Sequence, residues 1–504
     1  MNGPVARRTV MASLASSGSP GLSPSLLLSL PLALALPLAV AACGKVASGS
    51  PDAAIADAAI DASPAPGSVV WQQNLFASFT DELVVTDQVY VGASMFSALD
   101  LGKGRLTPAA GFDLLYAHYD LDGHIQASWR HGGAAGENII GFSVDPFGHP
   151  AIGGLYNGGT ANAGGADLPA APDFEGFAAS YDESGDQRWQ VPLTATTTIA
   201  PPFTAQLFPR SASTNANGLT CFTGSFRGRL DIGTARVDSA LDANNQPTND
   251  AFYLALDDSG AVFSLTRFGS SGEDNGIAAI FDPLGTVVLV GTFSNKVAFG
   301  TTNLDAGTGA DLFVVRMTPG GAPMWAIQGA GTADVVAATA AVTRSGDILV
   351  AVTYQGTFQM TGGTAVTALG ASDIALVRIS STGTVTWTKS FGGAGIDRAR
   401  GLAVGPTGDI AMTGEFNGTA AFGGPSYTTS GGYDSFVAKY TATGDFLWSH
   451  AAGSAADDRG LAVALDATGA VYTGHSFHNT VDFGGGPISS ANDDFNAALV
   501  KYRP

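Results

Sequence analysis

All six tryptophans of this 504-residue chain occupy one recurring phrase. Its strict form is Gly-x-x-x-Trp, at Gly67 to Trp71, Gly185 to Trp189, Gly321 to Trp325, Gly383 to Trp387 and Gly444 to Trp448. Gly123 to Trp129 is the same phrase with two extra residues, and Gly260 to Ser264 keeps the glycine but replaces the tryptophan. A rare residue confined to one slot, returning roughly every 60 residues, means a repeat architecture rather than a string of unlike domains.

The text between the tryptophans shows what each unit is made of. Trp387 to Trp448 is the clearest copy and divides into four extended stretches. Arg400 to Val404 is followed by a turn at Pro406-Thr407-Gly408; Asp409 to Glu415 is followed by a long Gly-rich loop. Ser435 to Tyr440 is followed by a turn at Thr443-Gly444, which leads to Asp445 to Ser449. Four antiparallel strands joined by short turns describe a propeller blade. The other copies keep the beat, with a turn such as Asp145-Pro-Phe-Gly148, Asp282-Pro-Leu-Gly285 or Asp466-Ala-Thr-Gly469 before the second strand. The third strands read LLYAHYD, GFAASYD, AFYLALD, LFVVRM, IALVRI, SFVAKY and AALVKY. The expected fold is an all-β, seven-bladed β-propeller of four-stranded antiparallel blades. Trp71, Trp129, Trp189, Trp325, Trp387 and Trp448 are its blade-packing residues. The last unit stops at Pro504 without a fourth strand, and the missing phrase stands at Gly67 to Trp71. The N-terminal strand of the body is therefore expected to close the ring. Unit three departs most, with an insertion at Thr194 to Asn217, a long loop at Leu230 to Asn249 and Ser264 in the Trp slot.

Residues 1–42 read as a signal peptide. Arg7 and Arg8 precede an apolar run from Leu26 to Val40, broken by Pro31 and Pro37. That run is short of the roughly 20 residues a membrane span needs. It ends in Val40-Ala41-Ala42-Cys43, which resembles the lipobox of bacterial lipoproteins. The resemblance implies that Cys43 is lipidated and that the chain is exported; Gly44 in place of Asp after it implies the outer membrane. Residues 43–66, rich in Ala, Pro, Ser and Asp without an aromatic, read as a disordered tether. The body is 67–504. Cys221 is then the one cysteine left, and a buried inert thiol is expected there.

The net charge of -20 argues against nucleic acid, whose phosphates require clustered Lys and Arg. Acidic residues recur at two beats. One follows the Trp slot, at Asp81, Asp274, Asp334, Asp397, Asp457 and Asp458. The other opens the third strand, at Asp113, Glu175, Asp250, Asp311, Asp373 and Asp434, with Asn496 in the last unit. Both sets should fall on one rim. Two readings stay open: Ca²⁺ held by hard oxygen ligands such as Asp274, Asp311, Asp397 and Asp434, or carboxylates that tie down their own turns. His475 and His478 are three apart and should face opposite sides of a strand. No nucleophile elbow, P-loop, zinc signature or dinucleotide fingerprint is present.

With this text in place, the chain from Gly67 to Pro504 resembles the bacterial seven-bladed beta-propeller repeat family (SBBP repeats). The matching beats are D-x-x-G, Phe422-Gly423 or Phe483-Gly484, and Asp434-Ser-Phe-Val-Ala-Lys-Tyr440 running on to Gly444 and Trp448. The resemblance implies a propeller in an exported setting and carries no catalytic residue with it. Ala438 to Trp448 also resembles the tryptophan-docking phrase of quinoprotein propellers, which use pyrroloquinoline quinone, and that of the propeller lipoprotein of outer-membrane assembly. The expectation is a monomeric, lipid-anchored, non-enzymatic binding or scaffolding module without a cofactor, facing an unidentified protein or glycan. The alternatives are a quinoprotein-like oxidoreductase and a Ca-dependent surface adhesion protein.

Overall fold

Strands dominate because the repeat supplies β-branched and aromatic residues between glycine turns, and glycine in place of strong helix formers. The computed structural model describes residues 65–75, 78–170, 174–196, 205–333, 335, 337–490 and 495–504, and these form 38 strands and no helix. The signal segment, Cys43 and all of the tether up to Pro64 lie outside the described residues, as does 197–204 of the unit-three insertion.

The strands assemble into seven antiparallel four-stranded sheets, three of them extended by a hairpin, with two further free hairpins. Sheet one is Ser78–Val85, Val89–Met95, Asp113–Tyr119 and Ile125–His131; sheet two is Gly136–Val144, Pro150–Asn157, Glu175–Tyr181 and Gln187–Thr196. Sheet three is Gln206–Thr214, Thr220–Arg227, Asn249–Leu256 and Val262–Phe268; sheet four is Asn275–Phe281, Val287–Phe299, Thr302–Met317 and Pro323–Gly331. Sheet five is Ala337–Val342, Ile348–Tyr354, Asp373–Ile379 and Val385–Gly393; sheet six is Asp397–Val404, Ile410–Phe416, Asp434–Tyr440 and Phe446–Ala452. Sheet seven combines Arg459–Leu465, Val471–Phe477 and Asn496–Tyr502 with Val69–Asn74, which pairs along Asn496–Tyr502 with Trp71 opposite Lys501. This is a propeller-like all-β fold.

The Gly-rich loop of the repeat holds strands that sequence reading did not resolve. Thr419–Ala421 and Ser426–Thr428 form a hairpin that adds to the fourth strand of sheet five at Gly392 and Gly393. Arg229–Ile232 and Ala235–Asp238, inside the long loop of unit three, do the same on Thr194 to Thr196 of sheet two. Thr357–Met360 and Val366–Thr367 do so on sheet four.

First strands of successive sheets pack side by side in chain order, and that of sheet seven packs against that of sheet one. The core lies between sheets. Each cluster of buried apolar side chains joins residues of neighbouring sheets, such as Leu349, Leu376, Met412, Phe436 and Tyr440 across sheets five and six. The tryptophans serve these seams by a consistent rule: the ring of one sheet lies on the phrase glycine of the next. Trp71 lies on Gly123, Trp129 on Gly185, Trp189 on Gly260, Trp325 on Gly383, Trp387 on Gly444 and Trp448 on Gly67. A methyl group on Gly67 would stand 2.7 Å from Trp448 Cδ2, so a side chain there would expel the indole. Between sheets three and four, Ser264 and Thr266 meet Gly321 instead.

Candidate functional site

Each sheet has two rims, because the turns between its first and second and between its third and fourth strands leave from the same edge. On this turn rim, the penultimate residue of the third strand faces the seam to the next sheet. In four sheets it is Lys or Arg. Arg316 reaches Asp282 Oδ2 at 2.7 Å and donates to the carbonyl of Gly346 in sheet five. Arg378 binds Asp347 Oδ2 at 2.8 Å and the carbonyl of Ala442 in sheet six. Lys439 donates to the carbonyl of Gly469 in sheet seven at 2.8 Å and pairs with Asp409 at 3.2 Å. Lys501 donates to the carbonyl of Leu121 in sheet one at 2.8 Å. Each cation spans from a carboxylate of its own sheet, or near it, to a backbone oxygen of the next. Two of the three remaining seams are filled differently. Arg188 of sheet two pairs with Asp258 of sheet three, and the Tyr253 hydroxyl donates to Pro319 O of sheet four at 2.8 Å.

The seam between sheets one and two is the exception, for two reasons visible in the strand register. The penultimate residue of its third strand is His118, not Lys or Arg. Its tryptophan is also displaced: Arg316, Arg378, Lys439 and Lys501 lie opposite Trp325, Trp387, Trp448 and Trp71, whereas Trp129 lies opposite Tyr116 and His118 faces Ala127. The two extra residues in the Gly123 to Trp129 phrase cause that shift. A cleft of about 260 Å³ remains. Its floor is a stack of rings. Tyr90 lies 5.5 Å from His118, His118 5.5 Å from Trp129 at 9°, and Trp129 4.5 Å from Tyr116. Its rim carries Asp87, Asp145, Asp182 and Glu183, with no Lys or Arg among the lining residues.

These carboxylates differ in how free they are. Asp145 accepts from the backbone of Phe147 at 2.8 Å and of His149 at 2.9 Å, and Asp182 accepts from Ser184 and Asp186, so both anchor their own turns. Asp87 and Glu183 are exposed. The Asp87 side chain accepts from the Thr86 hydroxyl at 3.0 Å. Burial lowers the His118 pKa, which Glu183 partly offsets, so its ring is neutral at pH 7 while Nδ1–H donates to Gln88 Oε1. Burial, then Asp87, Glu183 and Asp145, raise the Tyr90 hydroxyl. Tyr116 lines the cleft at 1% exposure, and its hydroxyl has no hydrogen-bond partner.

The recurring acidic residues sit on the opposite rim, and there they meet in pairs. Asp113 neighbours Glu137, Asp250 neighbours Asp274, Asp373 neighbours Asp397, and Asp434 neighbours Asp458, each pair bridging two sheets and all eight side chains buried. Gly133 N–H donates to Glu137 at 2.9 Å, Ser270 N–H to Asp274 at 2.8 Å, Gly393 N–H to Asp397 at 2.8 Å and Ser430 N–H to Asp434 at 3.1 Å. The second oxygen of each of these four has no partner. Burial first, and the neighbouring carboxylate in addition, push Glu137, Asp274 and Asp397 up to about 7 and Asp434 to about 6. Of the candidate calcium ligands, Asp274, Asp397 and Asp434 thus lie in three separate seams. Asp311, in sheet four, accepts from Gln328 Nε2 at 2.6 Å. Among the described residues no three His, Cys, Asp or Glu side chains gather around one metal position. The Asp81 side chain and the whole of Asp334 lie outside the described residues.

Cys221 is buried with its thiol pushed up by burial, and Sγ donates to Ala279 O at 3.6 Å. His475 is buried, held near a pKa of about 3 by burial and bonded to Thr473 at 2.7 Å; the His478 ring faces Asp457 O at 3.0 Å. The two imidazoles share no partner. Glu415, fully buried, is bound by Arg398 at 3.0 Å, Arg400 at 2.9 Å and Arg459 at 3.1 Å, which outweigh burial and keep its pKa below the usual value.

No family model matches the chain, and no curated protein is similar to it. Among solved structures it is similar to a puromycin hydrolase S511A mutant complexed with PGG, at 13% identity and a TM-score of 0.40, over 82% of this chain. The chain spans 54% of that hydrolase. NanB plus Optactamide is similar at 10% identity and a TM-score of 0.34, over 87% of this chain and 70% of that one. Likeness this distant says nothing about a site.

Proposed function

We propose that the seven sheets are the blades of one closed SBBP-type propeller, held at the outer membrane through lipidated Cys43 and the 44–66 tether. The body acts as a binding module, and its protein partner docks over the cleft between sheets one and two. The ring reading is supported by the indole contacts, which run from Trp71 on Gly123 around to Trp448 on Gly67. The single observation that carries the function is the cleft itself: a repeat that fills its other seams with its own side chains leaves this one unfilled. Binding residues concentrate where a rigid scaffold leaves a recess with a few polar groups.

Phe147, 63% exposed at the cleft mouth, is the place to test this. A photo-crosslinking phenylalanine analogue at position 147 of the full chain, irradiated in cells, should give a discrete covalent adduct with one protein. The same analogue at Phe263, 57% exposed on sheet three, should not. Equal adducts from both positions, or none from position 147, overturn the assignment.

A further inference from the structure

Four seams are built around a chain cation, and they show what chemistry this kind of pocket is shaped to hold. In each, an ammonium or guanidinium sits between a carboxylate of one sheet, or its neighbourhood, and a turn oxygen of the next. Arg316 adds a ring contact, its guanidinium 5.8 Å from the Trp325 centroid, and Lys501 lies 5.0 Å from that of Tyr472. The seam between sheets one and two keeps the same ingredients. Asp87 stands in the first turn of sheet one, the first- and second-turn residues of sheet two face it, and aromatic rings line the floor. What it lacks is the cation, since His118 occupies the position of Arg316, Arg378, Lys439 and Lys501 and is neutral.

We propose that this cleft takes the ammonium or guanidinium tip of a Lys or Arg side chain from a partner polypeptide, seated where those four residues sit in their own seams. The inference rests on the binding-module reading and names its ligand chemistry. Two further observations point to an incoming group. The cleft volume, about 260 Å³, has room for one long side chain rather than a folded element. The Tyr116 hydroxyl, buried beside it without a partner, can accept a hydrogen bond from an ammonium. Aromatic rings favour cations, and a hydrogen bond from a cation to a carboxylate is stronger than one between neutral groups. Glu183 and Asp87 carry the selectivity, because Asp145 and Asp182 are engaged by their own turns. A neutral or anionic side chain would leave Asp87 and Glu183 without a cationic partner.

The test uses a fluorescein-labelled, end-capped peptide Gly-Lys-Gly-Lys-Gly and its Nε-acetylated counterpart, titrated into the full chain at low ionic strength. The expected result is saturable binding of the lysine peptide and at least tenfold weaker binding of the acetylated one. His118→Lys should place the chain's own cation in the cleft, abolish peptide binding and raise the melting temperature. Glu183→Gln, a surface change, should weaken binding about tenfold without altering melting. The overall charge of -20 changes by only one unit in either variant, so diffuse attraction to an acidic surface cannot mimic these losses. Binding that survives His118→Lys, or that ignores acetylation, overturns the proposal. Spermidine displacing the peptide at equal or lower concentration overturns the polypeptide source in favour of a free polyamine. If crosslinking at position 147 succeeds while the lysine peptide fails to bind, the binding-module reading stands and the cation chemistry falls. Peptide binding without crosslinking keeps the cation chemistry of the cleft and removes a protein partner docked over Phe147.

Discussion

The seam between sheets six and seven and the seam between sheets one and two are built on the same backbone. Both place the sixth residue of a third strand opposite the second residue of a second strand, Lys439 with Ala411 and His118 with Tyr90. In the first, Lys439 is 3% exposed and its ammonium closes the gap to the neighbouring turn. In the second, an imidazole too short to cross the gap stacks flat on Trp129 and leaves a cleft. Between equivalent seams, then, open or shut is decided by one side chain's length and charge together with a two-residue shift of its tryptophan. Such a repeat can acquire a recess without altering its frame, because each sheet contacts only its neighbours.

Three changes to the closed seams would break or sharpen that contrast, and the largest removes a whole strand. Deleting residues up to Asn74 takes away the outer strand of sheet seven together with Trp71 on Gly123, whereas a deletion ending at Pro64 leaves both. The shorter deletion should melt like the full chain and the longer one far lower. Equal melting by calorimetry would mean that the seam between sheets seven and one does not hold the body together.

Next is the cation of a closed seam. Arg316 and Asp282 are 3% and 0% exposed. Arg316→Met should cost about 3–5 kcal/mol in urea unfolding, because it strands a buried carboxylate that the lost guanidinium had compensated. A loss below 1 kcal/mol would show that these cations fill space rather than bind charge, and would weaken the case for a charged occupant of the open cleft.

The smallest effect belongs to the opposite rim. Groups whose folded pKa is raised contribute stability that is fully present below their unfolded pKa, near 4, and is lost as pH rises through the folded pKa, near 7. The buried pairs should therefore make the body less stable at pH 8 than at pH 5. Asp397→Asn removes one titrating carboxyl and should raise the melting temperature at pH 8 by a few degrees while flattening that slope. A variant with the wild-type pH profile would show that Asp373 and Asp397 are not the groups that titrate.

Much of the frame could be read from the chain because it is repeated. The Trp slot, the D-x-x-G turns and four strands per unit are local patterns, and local patterns survive without knowing what lies beside them. Asp397 and Asp274 were legible as a recurring beat, yet their meeting with Asp373 and Asp250 was not, since it joins adjacent units. The cleft was half visible. The two extra residues before Trp129 and the histidine in LLYAHYD, aligned with Arg or Lys in LFVVRM, IALVRI, SFVAKY and AALVKY, are both in the text. Their consequence depends on the turn of sheet two that His118 fails to reach. The irregular loops of unit three stand out in the sequence by their length, more than one altered residue in a regular strand does.

The hairpins that fold back onto sheets two, four and five have a consequence for the protein among its own copies. The ends of their fourth strands, at Thr194 to Thr196, Gly329 to Gly331 and Gly392 to Gly393, already pair with a segment of the following unit. Unpaired outer strands are where one folded chain recruits another. With these donors and acceptors spoken for, those strand ends are closed to the backbone of a second copy.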